Sequence, residues 1–313
     1  MMEEKPSSMK RSANWILAGS MLLGFYLVHH FNDFLFHTVI ELFCSVIAFS
    51  VFMVAWNTRR YLSSNRALLL LAIGYLFSGF FGLLYLLAYK GIGVFPGYGG
   101  ELAMQFWVMG GFAASAALFL TFLLWERTFR LLDFFIAYGA ATLFFLLSVF
   151  QWRIFPACAI EGSGPTSFLV ISEFLIILFL CGALLLFWKR EKRIPLRVAR
   201  SLKGAILAAI LSYVFHALFR EIFVTPYLFP ALQLLSGYFI YRAIVVTGLV
   251  HPVDLLFADL QEIKEQLEKK EAASRRNAEE KEILTEIGKT ISSTLNIEEV
   301  YERFSKEVSR LIP

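Results

Sequence analysis

Long apolar stretches alternate with short polar ones along most of this chain of 313 residues. Eight stretches are long enough to cross a bilayer as helices, because a transmembrane helix needs about 20 apolar residues. They cover approximately residues 15–31, 37–56, 67–89, 102–125, 131–151, 168–188, 204–224 and 227–249. The pattern predicts an all-α fold: a polytopic membrane helical bundle of about eight transmembrane helices, followed by a C-terminal cytoplasmic coiled-coil helix.

The composition agrees with this interpretation. Hydrophobic residues make up 58% of the chain and charged residues 17%, whereas soluble domains are nearer half apolar and a quarter charged. Cys44, Cys158 and Cys181 have neither a paired nor a metal-type spacing. The first apolar stretch is long and lacks a small-residue cleavage site, so we expect no cleaved signal peptide. The lipid bilayer is the expected surrounding, and no nucleic-acid partner is expected.

The distribution of basic residues predicts the orientation. Fifteen Lys and Arg residues fall in the N-terminal tail and in alternate loops, and only Lys90, Arg153 and Arg220 fall on the opposite side. Basic loops remain in the cytoplasm. We therefore predict a multi-pass protein of the inner (plasma) membrane with cytoplasmic N- and C-termini, which an even number of spans also requires.

Several spans contain polar residues. The second carries His37 and Glu41 one helical turn apart, and a carboxylate within a span costs about 3 kcal/mol on insertion scales, so it should face protein or water. The predicted orientation places polar residues of six spans in the outer half of the bundle, which indicates a polar cavity there. The candidate ligand-binding residues are His37, Glu41, Tyr85, Glu101, Gln105, Glu173, His216 and Arg220. Alternatively, these residues only hydrogen-bond neighbouring helices.

The charges suggest what such a cavity could hold. Four carboxylates outnumber the nearby Arg220, which favours a cationic ligand, a proton or a metal ion; they are Glu41, Glu101, Glu173 and Glu221. His37 and His216 are weak candidates for a metal ion or a haem, but no ligand-spaced cluster supports them, so no cofactor is predicted. A transporter or a membrane redox protein is the competing class. The sequence shows neither inverted-repeat symmetry nor matching broken spans.

The chain changes character after Leu249. His251 and Pro252 are expected to end the last span, and a charged helix should begin at Val253. Apolar residues then alternate in steps of four and three, which predicts a coiled-coil homodimer through residues 253–267; they are Leu256, Leu260, Ile263 and Leu267. A solvated single helix is the alternative.

Two amphipathic stretches follow. The first contains Leu284 and Ile287, and the second should open with a capping box formed by Asn296 and Glu299. Two helices of this size cannot bury a core of their own. We therefore expect the opening of a soluble domain that is cut short at Pro313.

Two segments resemble known families. The motifs FHTVIELF, AWNTRRYL, GYLFSGFFGLLYLLAYKGIGVFPGYG and FPACAIEGSGPTSF, with the ending YRAIVVTGLVHPVDLLF, resemble MASE3, a membrane-associated sensor module of bacterial and archaeal signalling proteins. The likeness covers roughly residues 13–260. The segment LTEIGKTISSTLNIEEVYERFSKEVSRLIP resembles the first helices of a GAF domain. The implied domains are a tail (1–13), a membrane sensor (14–250), a signalling helix (251–282) and the start of a GAF domain (283–313).

The resemblance implies a membrane-embedded sensory input module. We expect it to belong to a sensor histidine kinase of a two-component system, or alternatively to a diguanylate cyclase or phosphodiesterase. The chain shows no catalytic residues of its own, so the output domain, its response regulator and any enzyme activity would lie outside it. Positions that match the family pattern are His37, Glu41, Trp56, Arg59, Cys158, Glu161, Gly164, Thr166 and Glu173. Departures from it are Tyr85, Gly111, Leu169 and Tyr213, where a histidine, an arginine, a lysine and an acidic residue are usual.

Overall fold

A computed structural model describes residues 32–60, 66–89, 92, 94–160, 164–220, 225–293 and 297–310. Its helices are α1 (Asp33–Asn57), α2 (Arg66–Ala88), α3 (Gly100–Leu123), α4 (Leu131–Phe150), α5 (Ser167–Arg190), α6 (Leu196–Leu218), α7 (Thr225–Val245), α8 (His251–Ser293) and α9 (Ile297–Val308). Between α4 and α5, β1 (Ala159–Ile160) pairs antiparallel with β2 (Gly164–Pro165). A 3-10 turn covers Glu191–Arg193, and a π-helical turn covers Val246–Val250.

Seven helices within the described residues are long and apolar enough to cross a membrane. They correspond to α1 through α7, and to the second through eighth spans predicted from the sequence. The first predicted span, residues 15–31, lies outside the described residues. The predicted all-α membrane bundle is thus confirmed, and the chain is a multi-pass membrane protein.

Six of these helices form a closed ring. The helix α1 packs against α2 and α7, α2 against α3, α3 against α5, α5 against α6, and α6 against α7. The remaining helix, α4, packs mainly on α2 and stays outside the ring. Its exposed large apolar side chains are Leu132, Phe135, Ile136, Leu143 and Phe144. Such a surface suits contact with lipid, because the bilayer core is apolar.

The two ends of the bundle differ in chemistry. We call the end that carries β1 and β2 the hairpin end, and the opposite end the basic end. At the basic end, the Arg59 guanidinium lies 5.1 Å from the centre of the Trp56 ring. Arg66 Nη1 donates to the carbonyl oxygen of Phe129 at 3.2 Å, and Arg193 pairs with Glu126. Aromatic and cationic side chains of this kind anchor spans at a membrane interface.

The helix α6 begins earlier than the sequence predicts. It starts at Leu196 with Pro195 at its N-cap, not at residue 204. Proline suits a helix start because its φ is already near the helical value and its missing N–H would be unpaired there anyway. Arg197, Arg200 and Lys203 therefore lie on the first two turns of α6, not in a loop. Their long side chains can extend their charges toward water at the basic end.

The last span ends at Gly248, close to His251 and Pro252 as predicted, but the backbone stays helical beyond it, where a break was expected. The π-helical turn Val246–Val250 leads directly into α8, with no intervening non-helical residue. Pro252 cannot donate to the carbonyl of Gly248, and its ring would crowd that carbonyl in a regular helix. The wider π turn accommodates this conflict without ending the helical backbone.

The contacts divide the chain into two units, Met1–His251 and Pro252–Pro313. The side chains of residues 251–266 are outside the described part, so most of the predicted coiled-coil seam is too. Leu267 and Leu284 on α8 are exposed. The helix α9 follows, as the sequence predicts, and carries exposed Tyr301 and Phe304, whereas the predicted cap Asn296 is not among the described residues.

Candidate functional site

A cavity of about 110 Å³ lies within the ring. A buried water needs roughly 10–15 Å³ of such space, so this cavity has room for several waters or for one small molecule. Side chains from all six ring helices line it, and the polar and aromatic ones are Glu41, Cys44, Ser45, Tyr75, Ser78, Tyr85, Phe106, Trp107, Ser115, Tyr213, Gln233 and Ser236. The cavity is therefore a product of the whole ring.

Glu41 is the carboxylate of this cavity. Its side chain is 5% exposed, and its Oε1 has no hydrogen-bond partner within the described residues. The hydroxyl of Ser45, one helical turn further along α1, is buried and also unpaired in the described part. Residues four apart share a helix face, so both groups point to the same side. An unpaired buried polar group destabilises the folded protein by about 1–3 kcal/mol. This face of α1 is therefore the strongest candidate for a ligand-binding surface.

His37 lies one turn before Glu41 and contacts Tyr85 of α2 and Tyr89, the residue that follows α2. Its Nε2 forms a hydrogen bond with the hydroxyl of Tyr85. The His37 ring also packs on Tyr89, with ring centres 4.7 Å apart. Tyr85 itself lines the cavity, so His37 acts on the cavity wall through this tyrosine.

Glu173, His216 and Arg220 form a separate buried cluster. Glu173 on α5 is 0% exposed. His216 Nδ1 lies 2.6 Å from Glu173 Oε1, and Arg220 Nη2 donates to both carboxylate oxygens at 2.8 Å. The Trp107 ring packs between this cluster and the cavity, with its centre 4.9 Å from that of His216. These three candidates thus pair with one another and connect α5 to the end of α6.

Glu101 and Gln105 lie at the hairpin end, apart from the cavity. Glu101 is exposed, and Gln105 Nε2 donates to its Oε1 at 3.3 Å. The same amide reaches the carbonyl oxygen of Pro156 at 3.4 Å. These contacts connect α3 to the loop before β1. Of the eight candidate ligand-binding residues, only Glu41 and Tyr85 line the cavity.

The weak metal candidates, His37 and His216, are held by different partners. His37 bonds Tyr85, and His216 bonds Glu173. Within the described ranges, no group of three or more His, Cys, Asp and Glu residues is close enough to hold a metal ion.

The loop between α4 and α5 is shaped by residues that match the MASE3 pattern. Thr166 Oγ1 donates to the carbonyl oxygen of Ala157 at 2.6 Å and also accepts from the N–H of Leu169, which caps α5. Gly164 has φ +82, a left-handed value that favours glycine at this turn. Cys158 is fully buried, and burial, with the Glu101 carboxylate nearby, raises the pKa of its thiol to about 12. These residues shape the hairpin; Glu161 is outside the described residues.

Sequence reasoning missed most of the cavity wall. Ser45, Tyr75, Trp107 and Ser236 line it but were not among the candidates. Three of the four departures from the MASE3 pattern, Tyr85, Gly111 and Tyr213, also line it, whereas Leu169 is buried elsewhere. A usable signal was the clustering of small residues, such as Ser78, Gly79, Gly82, Gly110 and Gly111. Small residues also mark ordinary helix contacts in membranes, so the signal is ambiguous.

The ring and its cavity define a multi-pass helical membrane protein with an internal site. The family model described as a membrane-associated sensor domain, MASE3, matches residues 28–252, which is well over half of the chain. The chain therefore belongs to the MASE3 family, as its motifs indicated. Comparison with curated proteins and with solved structures finds no match.

Proposed function

We propose that this chain is the sensory input part of a signalling protein and that occupancy of the cavity is its signal. The proposal rests on the location of α7, which lines the cavity and also leads toward α8. Gln233 and Ser236 of α7 line the cavity, and the π-helical turn Val246–Val250 leads from α7 into α8. A change at the cavity therefore acts on the element that precedes the charged tail of the chain.

Signalling requires two arrangements of the ring that the ligand binds with different affinity. Helix shifts of about 1–2 Å are a common way for packed helices to switch. In this proposal, a ligand held between Glu41 of α1 and Gln233 of α7 favours one position of α7. The π-helical turn is a point at which such a shift can be absorbed or passed on, because its hydrogen-bond register differs from that of the flanking helices.

The proposed output is a histidine kinase acting on a response regulator, with a diguanylate cyclase or phosphodiesterase as the second choice. The proposed arrangement is a homodimer joined through residues 253–267, with the basic end and both termini in the cytoplasm of an inner membrane. Exposed Leu267 on α8 supports the dimer, because coiled-coil seams leave apolar side chains exposed in one copy. Exposed Ile297, Tyr301 and Phe304 on α9 support the opening of a GAF domain.

The test joins the full chain, after Pro313, to the catalytic core of a reporter histidine kinase. Autophosphorylation is compared in membranes for the wild type, Glu41→Gln and Glu101→Gln. We expect Glu41→Gln to change the basal level or its response to growth medium, and Glu101→Gln to behave as the wild type. Identical phosphorylation of all three under every condition would refute the cavity as the sensing site.

A further inference from the structure

We infer that the cavity binds a small organic cation, a primary amine of about four or five non-hydrogen atoms, with Glu41 as its counter-ion. The size follows from the volume: a cavity of about 150 Å³ holds the six carbons of benzene, and this one has about 110 Å³. The inference rests on the proposed function, because it names the ligand class of the proposed sensing site.

The charge balance of the cavity favours a cation. Among the residues that the structure describes, Glu41 is the only carboxylate that lines the cavity, and none of the described lining residues is Lys, Arg or His. The basic cluster that packs on Trp107, His216 and Arg220, is already engaged by Glu173. A buried ionised carboxylate is costly unless it is paired, so an occupant that carries a positive charge would stabilise the ionised form of Glu41.

The unpaired groups of the cavity wall favour a ligand that donates hydrogen bonds. Glu41 Oε1 and the Ser45 hydroxyl are both unpaired in the described structure, and both can accept a hydrogen bond. A primary ammonium has three N–H donors, enough for both of these groups and for one more on the wall, such as the Gln233 amide oxygen. A quaternary ammonium, which has no N–H, would leave both acceptors unpaired.

The walls favour an organic ion. Tyr75, Tyr85, Trp107 and Tyr213 line the cavity, and the electron-rich faces of aromatic rings attract ammonium groups. A divalent metal ion needs several oxygen ligands, and the cavity offers one carboxylate. A proton alone could neutralise Glu41, but it would leave the volume of about 110 Å³ and its aromatic lining without a role.

The test uses the full chain in lipid nanodiscs and measures binding by equilibrium dialysis. The probes are n-butylammonium, n-butanol and butyrate, which have similar size and differ in charge, and empty nanodiscs correct for partition into lipid. We expect n-butylammonium to bind at least tenfold more tightly than n-butanol, and butyrate not to bind. We also expect Glu41→Gln to weaken n-butylammonium binding at least tenfold and Glu101→Gln to leave it unchanged.

Equal binding of amine and alcohol, no binding of any probe, or binding that survives Glu41→Gln would overturn the inference. The charge selectivity of the wild type needs no variant, so the inference can fail even if Glu41→Gln does not fold. The two experiments together distinguish failure of this inference from failure of the proposed function. Output that depends on Glu41 without amine binding refutes only the cation, whereas amine binding with unchanged kinase output refutes only the sensing role.

Discussion

The hydroxyl of Tyr213 lies directly against Gly111, joining α6 and α3 across the ring. A Cβ atom at Gly111 would overlap Tyr213 Oη and would lie 2.8 Å from Ile176 Cδ1. No side chain larger than hydrogen fits there without moving a neighbour. This pair therefore sets the position of one wall of the cavity.

Gly111→Ala should push Tyr213 away and destabilise the bundle by about 1–3 kcal/mol, the usual cost of overpacking a close-packed site. The measurement is the midpoint of thermal unfolding. Gly110→Ala is the matched control, because its Cβ would meet Phe81 at an ordinary 3.4 Å. Adding Tyr213→Phe to Gly111→Ala removes the closest atom and should recover most of the loss. A double variant as unstable as Gly111→Ala would show that the hydroxyl is not the cause.

Breaking the Glu173–Arg220 pair should strongly destabilise the folded bundle. Arg220→Met leaves the fully buried Glu173 with His216 as its one charged partner among the described residues, and breaking a buried pair costs about 3–5 kcal/mol. The exposed pair Arg193–Glu126 is the control, and Arg193→Met should cost only about 0–1 kcal/mol. Unfolding midpoints of the two variants test the difference; equal midpoints would contradict it.

Replacing Glu41 should raise the stability of the bundle, whereas replacing Arg220 should lower it. Replacing it with methionine removes an unpaired buried carboxylate and fills the same volume with apolar atoms. We expect Glu41→Met to raise stability by about 1–3 kcal/mol, because leaving a buried polar group unpaired costs that much. A residue kept at a cost to stability is typical of a functional site. A lower unfolding midpoint for Glu41→Met than for the wild type would contradict this prediction.

The α8 helix should pair with a second copy through its apolar seam. Under mild oxidation, Leu260→Cys should form a disulfide-linked dimer, because seam positions of a parallel coiled coil face each other. Glu265→Cys, on the opposite face of the same helix, should cross-link far less. The wild type gives the background from the native cysteines, and non-reducing gels give the yield. Equal yields from both variants would favour a solvated single helix.

The orientation predicts which end a membrane-impermeant maleimide reaches in intact cells. Tyr98→Cys, at the hairpin end, should be labelled, and Arg130→Cys, at the basic end, should be labelled only after the cells are opened. Native Cys158 should stay unlabelled near pH 7, because it is buried and its thiol pKa of about 12 keeps it protonated. Labelling of Arg130→Cys in intact cells would contradict the proposed topology.

The seven spans α1 through α7 could be read from the sequence because the free energy of placing a helix in lipid depends on its own side chains. Helix ends were less predictable. The helix α6 starts at Leu196, after the N-cap Pro195 and eight residues before the predicted start at residue 204, and the π-helical turn before Pro252 keeps the backbone helical. In both places backbone geometry matters more than hydrophobicity.

The sequence alone determined that Glu41 and Glu173 lie within membrane spans and need partners. It did not determine which of them has one. Glu173 pairs with His216 and Arg220, which are 43 and 47 residues away along the chain, whereas Glu41 Oε1 has no hydrogen-bond partner among the described residues. Only the closure of six helices into a ring, with α4 left outside, decided this difference. Hydropathy is a local property, but the pairing of a buried charge depends on which helices become neighbours.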